Sequence, residues 1–123
     1  MSLERGIERT DEFTATDRLL TDVGGTLGAK VLSTPGMIAM MERCASKLAL
    51  ENLPDGKATV GFEVCVKHVA AAAEGNDCTV HARLDEIVDG RKLRFVVEVR
   101  SGERTIGVGT HERRVIERAG FGS

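Results

Sequence analysis

The chain has 123 residues, and 41% of them are hydrophobic, so it is long enough for one globular domain and too apolar to be disordered. A formal net charge of −2, without a basic block and without Trp or Tyr, argues against nucleic acid as the main partner. The charged first ten residues and the lack of a long apolar run argue against a signal peptide and a membrane span. Cys44, Cys65 and Cys78 lack a C-x-x-C pair, and reduced thiols in a cytoplasmic protein are the simplest account of them.

The first quarter of the chain predicts an arm, one short strand and a loop. Residues 1–11 are polar and are expected to form a flexible arm, and residues 12–16 are a candidate first strand. Residues 21–32 contain three glycines and predict a loop. The GGTLGAK of this loop departs from the G-x-x-x-x-G-K-[ST] spacing of a phosphate loop, so a nucleotide site is not predicted here.

Residues 33–51 predict one long helix. Thr34 suits the N-cap, Pro35 suits the first helical position, and the helix is expected to end near Leu50. Residues at spacings of three and four form one apolar face, namely Met37, Met41, Cys44, Ala45 and Leu48. Glu42 lies on or beside this face. Its carboxylate therefore either points to solvent, finds partners, shifts its pKa upward, or sits in a water-filled cleft.

After a turn at residues 52–57, alternation of apolar and polar residues predicts four antiparallel strands joined by short turns. In the first of them Gly61 is predicted on the polar side, and His68 continues the apolar register at the strand end. The predicted inner faces are Val60, Phe62, Val64 and Val66, then Val80, Ala82 and Leu84, then Leu93, Phe95, Val97 and Val99. The last strand is expected from Arg104 to about Ile116, where Gly107 and Gly109 indicate a bulge or a close approach of backbones.

The order of strand, loop, one long helix and four-stranded meander predicts an α+β domain with the hot-dog fold. In that fold a curved antiparallel sheet of about five strands wraps one central helix. The whole of residues 1–123 is expected to form this single domain. One helix covers one face of the sheet, so the other face or an edge is left for a second subunit.

Several stretches of the sequence together carry a resemblance to a known family. Thr34 and Glu42 are eight residues apart in a T-x-G-M-x-x-x-M-E pattern, and His68 follows Glu42 by twenty-six. Further matching stretches are VCVKH at residues 64–68, the hairpin around residues 89–93, and GTHERRVI at residues 109–116. In these features the chain resembles the fluoroacetyl-CoA thioesterase-like family of hot-dog thioesterases.

The resemblance implies an acyl-CoA thioesterase, which hydrolyses a small or medium acyl thioester to a carboxylic acid and free CoA. It implies that Thr34, Glu42 and His68 form a catalytic triad, and that Gly61 and Arg113 contact the acyl group. His111 and Glu112 belong to the shared motif, and we predict structural roles for them. CoA would be part of the substrate, and no other cofactor and no metal is expected. A non-catalytic acyl-CoA-binding module and a hot-dog hydratase or dehydratase are the alternative functions.

The spacing of the triad predicts an assembly. Eight residues of helix separate Thr34 from Glu42 by about 12 Å, so the two side chains cannot meet within one subunit. We therefore expect a homodimer or a dimer of dimers with shared sites. Unsatisfied N–H groups at the helix start, near Gly36 and Met37, are the candidate oxyanion donors.

The sequence leaves the nucleophile and the acyl group open. Glu42 could activate water or attack the carbonyl itself, and Thr34 could be a nucleophile activated by His68 or could orient water. Gly28 stands where the family places a gate phenylalanine. The loop of residues 21–32 therefore predicts a pocket that admits larger or more varied acyl groups.

Overall fold

The computed structural model describes residues 2–120 and shows one long helix against an antiparallel sheet. The elements in chain order are β1 (Glu8–Thr14), β2 (Leu20–Thr21), β3 (Val31–Leu32), α1 (Thr34–Leu50), β4 (Lys57–His68), β5 (Asp77–Val88), β6 (Lys92–Ser101) and β7 (Arg104–Glu117). The main sheet has five strands in the order β1-β5-β6-β7-β4, and β2 and β3 form a separate small ladder. This arrangement confirms the predicted hot-dog fold. The predicted four-stranded meander is wrong at its first strand, because β4 pairs with β7 and not with β5, the strand that follows it in the chain. Within residues 2–120 no helix is long and apolar enough to cross a membrane.

The helix confirms the predicted apolar face and its end at Leu50. Its buried residues are Gly36, Met37, Met41, Cys44, Ala45, Leu48 and Ala49. The predicted N-cap is wrong by one residue, because the side chain of Ser33 accepts a hydrogen bond from the Gly36 N–H at 2.9 Å. Ser33 therefore caps the helix, and Thr34 becomes its first residue with a hydroxyl that is free for another partner.

The inner face of the sheet supplies the rest of the core. The predicted alternation in the middle strands is confirmed, with eight buried residues: Cys78, Val80, Ala82, Leu84, Leu93, Phe95, Val97 and Val99. The turn between β5 and β6 also lies where the sequence predicts it. Asp89 and Gly90 both have left-handed φ angles, of 56° and 63°, and the Arg91 N–H closes the turn by donating to the Val88 carbonyl at 3.1 Å.

Strand β1 begins earlier than predicted. Residues 8–11, predicted as part of a polar arm, pair with β5 from Glu8 opposite Arg83 to Asp11 opposite Val80. The polar composition of these residues does not predict a strand, and the strand forms because ion pairs within the fold neutralise its charges. Arg9 forms ion pairs with Asp11 at 3.0 Å and with Glu51 of the helix at 2.7 Å.

A β-bulge between Gly61 and Glu63 inverts the first part of β4 relative to the prediction. After the bulge, Val64, Val66 and His68 lie on the inner side as predicted, opposite His111, Gly109 and Gly107. Before it, Gly61 turns inward, whereas Val60 and Phe62 are 40% and 59% exposed. The extra residue of a bulge is not visible in a strict two-residue alternation. The predicted inward positions of Val60 and Phe62, and the outward position of Gly61, are therefore wrong.

The close approach predicted at Gly107 and Gly109 is confirmed. A Cβ at Gly107 would collide with the Met37 side chain, and one at Gly109 would collide with the backbone of Cys65 and Val66. These two glycines let the helix start and β4 approach β7 closely.

Candidate functional site

The start of the helix and the end of β4 bring Thr34 and His68 into contact. Thr34 Oγ1 and His68 Nδ1 are 2.8 Å apart. The other ring nitrogen of His68, Nε2, is buried and has no hydrogen-bond partner among residues 2–120. Because Ser33 takes over the cap, the Thr34 hydroxyl can exchange a proton with the imidazole.

The predicted oxyanion donors are already occupied. The Gly36 N–H donates to Ser33 Oγ, and the Met37 N–H donates to the Ser33 carbonyl, each at 2.9 Å. The prediction that these two groups are unsatisfied is therefore wrong, and the cause is the cap at Ser33. Pro35 has no N–H, so within the described part of the chain the first turn keeps one unpaired donor, the N–H of Thr34.

Glu42 belongs to a second cluster, two turns further along the helix. It is half-buried and lies over Gly61. A Cβ at Gly61 would be 2.9 Å from Glu42 Oε2, 3.5 Å from Arg113 Nη1 and 3.7 Å from His111 Cε1. Glu42, Gly61 and Arg113, which the sequence predicts to be functional, thus share one space, and His111 borders it.

Three hydrogen bonds to two residues hold the Arg113 guanidinium. Nε donates to Thr59 Oγ1 at 2.7 Å, Nη2 donates to the Thr59 carbonyl at 3.1 Å, and Nη1 donates to His111 Nε2 at 3.1 Å. Burial lowers the pKa of Arg113, while the charge of Glu42 acts in the opposite direction. Sequence reasoning missed Thr59, since a single threonine in a strand carries no signal of its own.

The ring of His111 is neutral in this arrangement. Arginine can only donate, so His111 Nε2 must be the acceptor, and Nδ1 carries the hydrogen that it donates to the Glu63 carbonyl at 2.8 Å. Burial lowers the pKa of His111, and the neighbouring Arg113 lowers it further, whereas the bond to Glu63 and the charge of Glu42 raise it. The net lowering agrees with the neutral form.

Glu112 lies on the outer side of the sheet, away from this cluster. Its carboxylate accepts from Arg114 Nε at 2.7 Å and from Arg94 Nε at 3.0 Å. Hydrogen bonds from these two arginines lower the pKa of Glu112. The Arg114 guanidinium also lies 3.6 Å from the centre of the Phe62 ring. These contacts support the structural role predicted for Glu112.

Within one chain, the three residues that are predicted to form a triad therefore lie in two separate places. The Thr34–His68 pair stands at the helix start, and Glu42 stands about 12 Å along the helix. Both flank β4, which pairs with β7 and forms an end of the sheet. In the described residues no group of three or more His, Cys, Asp or Glu side chains could hold a metal ion.

The loop between β2 and β3 is open. All of its residues from 22 to 30 are exposed, and a Cβ at Gly28 would have no atom within 4 Å. The position predicted for a gate therefore carries no side chain in this protein.

Three comparisons place these features among known proteins. The family description of the fluoroacetyl-CoA-specific thioesterases matches residues 11–119. The fluoroacetyl-CoA thioesterase of Streptantibioticus cattleyicolor is 38% identical over 87 residues, which are 71% of this chain and 62% of that protein's length. A solved fluoroacetyl-CoA thioesterase superposes with a TM-score of 0.87 at 29% identity, covering 98% of this chain and 93% of that one. A phenylalanine-to-alanine variant of such an enzyme, solved with fluoroacetate and CoA, gives 0.86 at 29% identity over 98% and 100% of the two chains.

Proposed function

Since the chain belongs to the fluoroacetyl-CoA-specific thioesterase family, we propose that it hydrolyses acyl-CoA to a carboxylic acid and free CoA. The observation that carries the proposal is the 2.8 Å contact between Thr34 and His68 at the positive end of the helix. A thioester carbonyl needs donors for its developing oxyanion and a group that protonates the leaving thiolate. The Thr34 N–H and the His68 imidazole are suited to these two tasks.

The complete site forms, in our proposal, between two copies of the chain that pair along β4. This strand is twelve residues long, lies at an end of the sheet, and exposes Val60 and Phe62. An edge of this kind favours pairing with another strand. Antiparallel pairing of β4 with its copy reverses the strand direction. The His68 end of one subunit then approaches the Glu42–Gly61 region of the other.

The reaction has two routes that the arrangement supports equally. In one, the Glu42 carboxylate acts as a base and activates a water molecule against the carbonyl carbon. In the other, it attacks the carbonyl itself and gives an anhydride that water then hydrolyses. In both, His68 gives a proton to the leaving sulfur, and the water that completes the hydrolysis returns a proton to the ring, by way of Glu42 in the first route. The Thr34 hydroxyl orients the imidazole or the water.

The acyl group follows from the open loop. Gly28 has no side chain to press against a small acyl group, and the neighbouring residues are exposed. We propose that the pocket admits small and medium acyl groups without strong selection for fluoroacetyl. The cytoplasm is the proposed location, supported by three free cysteines.

The activity is tested by thiol release from a panel of acyl-CoAs of different length and polarity. We expect turnover of several of them, with loss of turnover in Thr34→Ala. Binding of acyl-CoA without any thiol release would contradict the proposal and would identify a binding module.

The shared site is tested by mixing subunits. A Thr34→Ala protein mixed with a Glu42→Gln protein forms some dimers with one intact site, so activity should partly recover once exchange is complete. No recovery after verified exchange would rule out the shared site. Phe62→Asp should weaken the dimer in sedimentation experiments. Leu50→Asp is the matched control, because Leu50 is a large apolar residue that is 51% exposed and belongs to the helix rather than to β4.

A further inference from the structure

We infer that His111 is a positioning residue that holds the Arg113 guanidinium beside Glu42 through its unprotonated Nε2. The inference rests on the proposed function, because it concerns the cluster that faces the acyl group. It assigns to His111 a task beyond the structural role that the sequence predicts.

The hydrogen bonds of Arg113 show why the position of its guanidinium depends on His111. A guanidinium has five N–H groups, and three of them are used by Thr59 and His111. Thr59 holds one side of the plane through Nε and Nη2, and His111 holds Nη1. Arg113 is only 7% exposed, so water does not substitute easily for a lost partner. One N–H remains on each terminal nitrogen for a ligand or for Glu42.

His111 is itself fixed in direction. Its Nδ1–H donates to the carbonyl of Glu63, which sits at the bulge of β4, and its ring stacks on Phe95 with centroids 6.3 Å apart. The ring is 2% exposed. The bulge thus has two effects at once, since it turns Gly61 toward Glu42 and presents the carbonyl that sets the tautomer of His111.

The charges around His111 favour the same state. The charged groups that face it are Arg113 from its own strand and Glu42 from the helix. Protonation would replace the acceptor by a donor and would place two cations 3.1 Å apart at Nη1 and Nε2. A neutral His111 is therefore the form that keeps Arg113 in place.

The test compares His111→Gln, which keeps an acceptor, with His111→Leu, which has a similar volume and no acceptor. We expect His111→Leu to lower kcat/KM by about tenfold to a hundredfold, the scale of a misplaced active-site group, and His111→Gln to restore most of it. In an Arg113→Leu background, His111→Leu should change kcat/KM by less than about twofold, because its target is gone. Equal losses for Gln and Leu, or additive effects with Arg113→Leu, would overturn the inference.

A second measurement needs no variant and no turnover. Ring-nitrogen NMR of the wild-type protein at pH 7 should show His111 as the neutral tautomer with hydrogen on Nδ1. The imidazolium, or hydrogen on Nε2, would overturn the inference even if His111→Leu failed to fold. A wild-type protein that releases no thiol would instead refute the proposed function, and the NMR result would still decide on the His111–Arg113 contact.

Discussion

Gly61→Ala is the most direct test of the space that Glu42 occupies. The added Cβ would lie 2.9 Å from Glu42 Oε2, whereas ordinary contact begins at 3.4 Å, so the carboxylate must move by about half an ångström. Arg113 and His111 are already at ordinary contact distance from the same point. A misplacement of about 1 Å can cost a hundredfold in rate, so half of it should lower kcat/KM about tenfold, or about 1.4 kcal/mol. The substitution adds only one methyl group, and the group that must move is the Glu42 carboxylate.

Stability should not follow activity in this variant. The atom that must yield is the far end of a flexible side chain, and Ala in a strand is favoured over Gly by about 0.5–1 kcal/mol. The melting temperature should therefore stay constant or rise by a few degrees. Gly109→Ala is the matched comparison on the paired strand, because its Cβ would meet the backbone of Cys65 and should destabilise the fold.

The assay is thiol release at several acyl-CoA concentrations, combined with thermal unfolding of the same preparations. Wild-type kcat/KM in Gly61→Ala would show that the carboxylate does not need its place over Gly61. A loss of stability as large as that of Gly109→Ala would show that the contact cannot relax through the Glu42 side chain. Either result would contradict the predicted effect of the contact between the added Cβ and Glu42 Oε2.

Four further predictions concern single residues. Glu42→Gln should lower thioester hydrolysis at least about a hundredfold with an unchanged melting temperature, and near-normal turnover would remove it from the mechanism. Ser33→Ala should destabilise the protein by about 1 kcal/mol through loss of the cap, whereas Thr34→Ala should lose activity and keep its melting temperature. Gly28→Phe should narrow the range of acyl-CoAs turned over, and an unchanged range would show that the loop is not a lid. The pKa of His111 is lowered in the folded protein, so the unfolded chain binds more protons below about pH 6.5 and the stability falls on acidification. His111→Gln should reduce that fall, as measured by thermal unfolding at pH 5 and pH 7.

Much of this molecule could be predicted from the spacing of its residues. Three features follow from local patterns that have one structural interpretation each. They are the apolar positions of the helix, the alternation in β5 and β6, and the hairpin at Asp89 and Gly90. The grouping of Thr34 with His68 follows from the family resemblance, which places residues that are distant along the chain in one triad. Local periodicity alone does not join a helix start to a strand end.

The errors at the helix cap and in β4 have two different physical origins. Local patterns fix neither the choice between two similar cap residues nor the position of a bulge. Ser33 and Thr34 are both good caps, and the backbone decided for Ser33. Strict alternation predicts Phe62 on the inner side of the sheet, because the composition of a strand does not reveal a bulge. Both features lie beside the candidate site, because the cap at Ser33 leaves the Thr34 hydroxyl free and the bulge turns Gly61 toward Glu42.

The two ends of the sheet differ in charge, and this difference limits how far copies of the chain can add to one another. At one end, β1 carries Glu8, Arg9, Asp11 and Glu12, whereas the middle of β4 at the other end carries Glu63 alone between residues 58 and 66. Pairing of β4 with β1 of the next molecule would repeat head to tail and give an endless ribbon. Pairing of β4 with another β4 uses up both apolar edges and leaves two charged ones outside, where charges oppose further strand addition. In the proposed dimer, the charges on the two outer β1 strands therefore act against fibre growth.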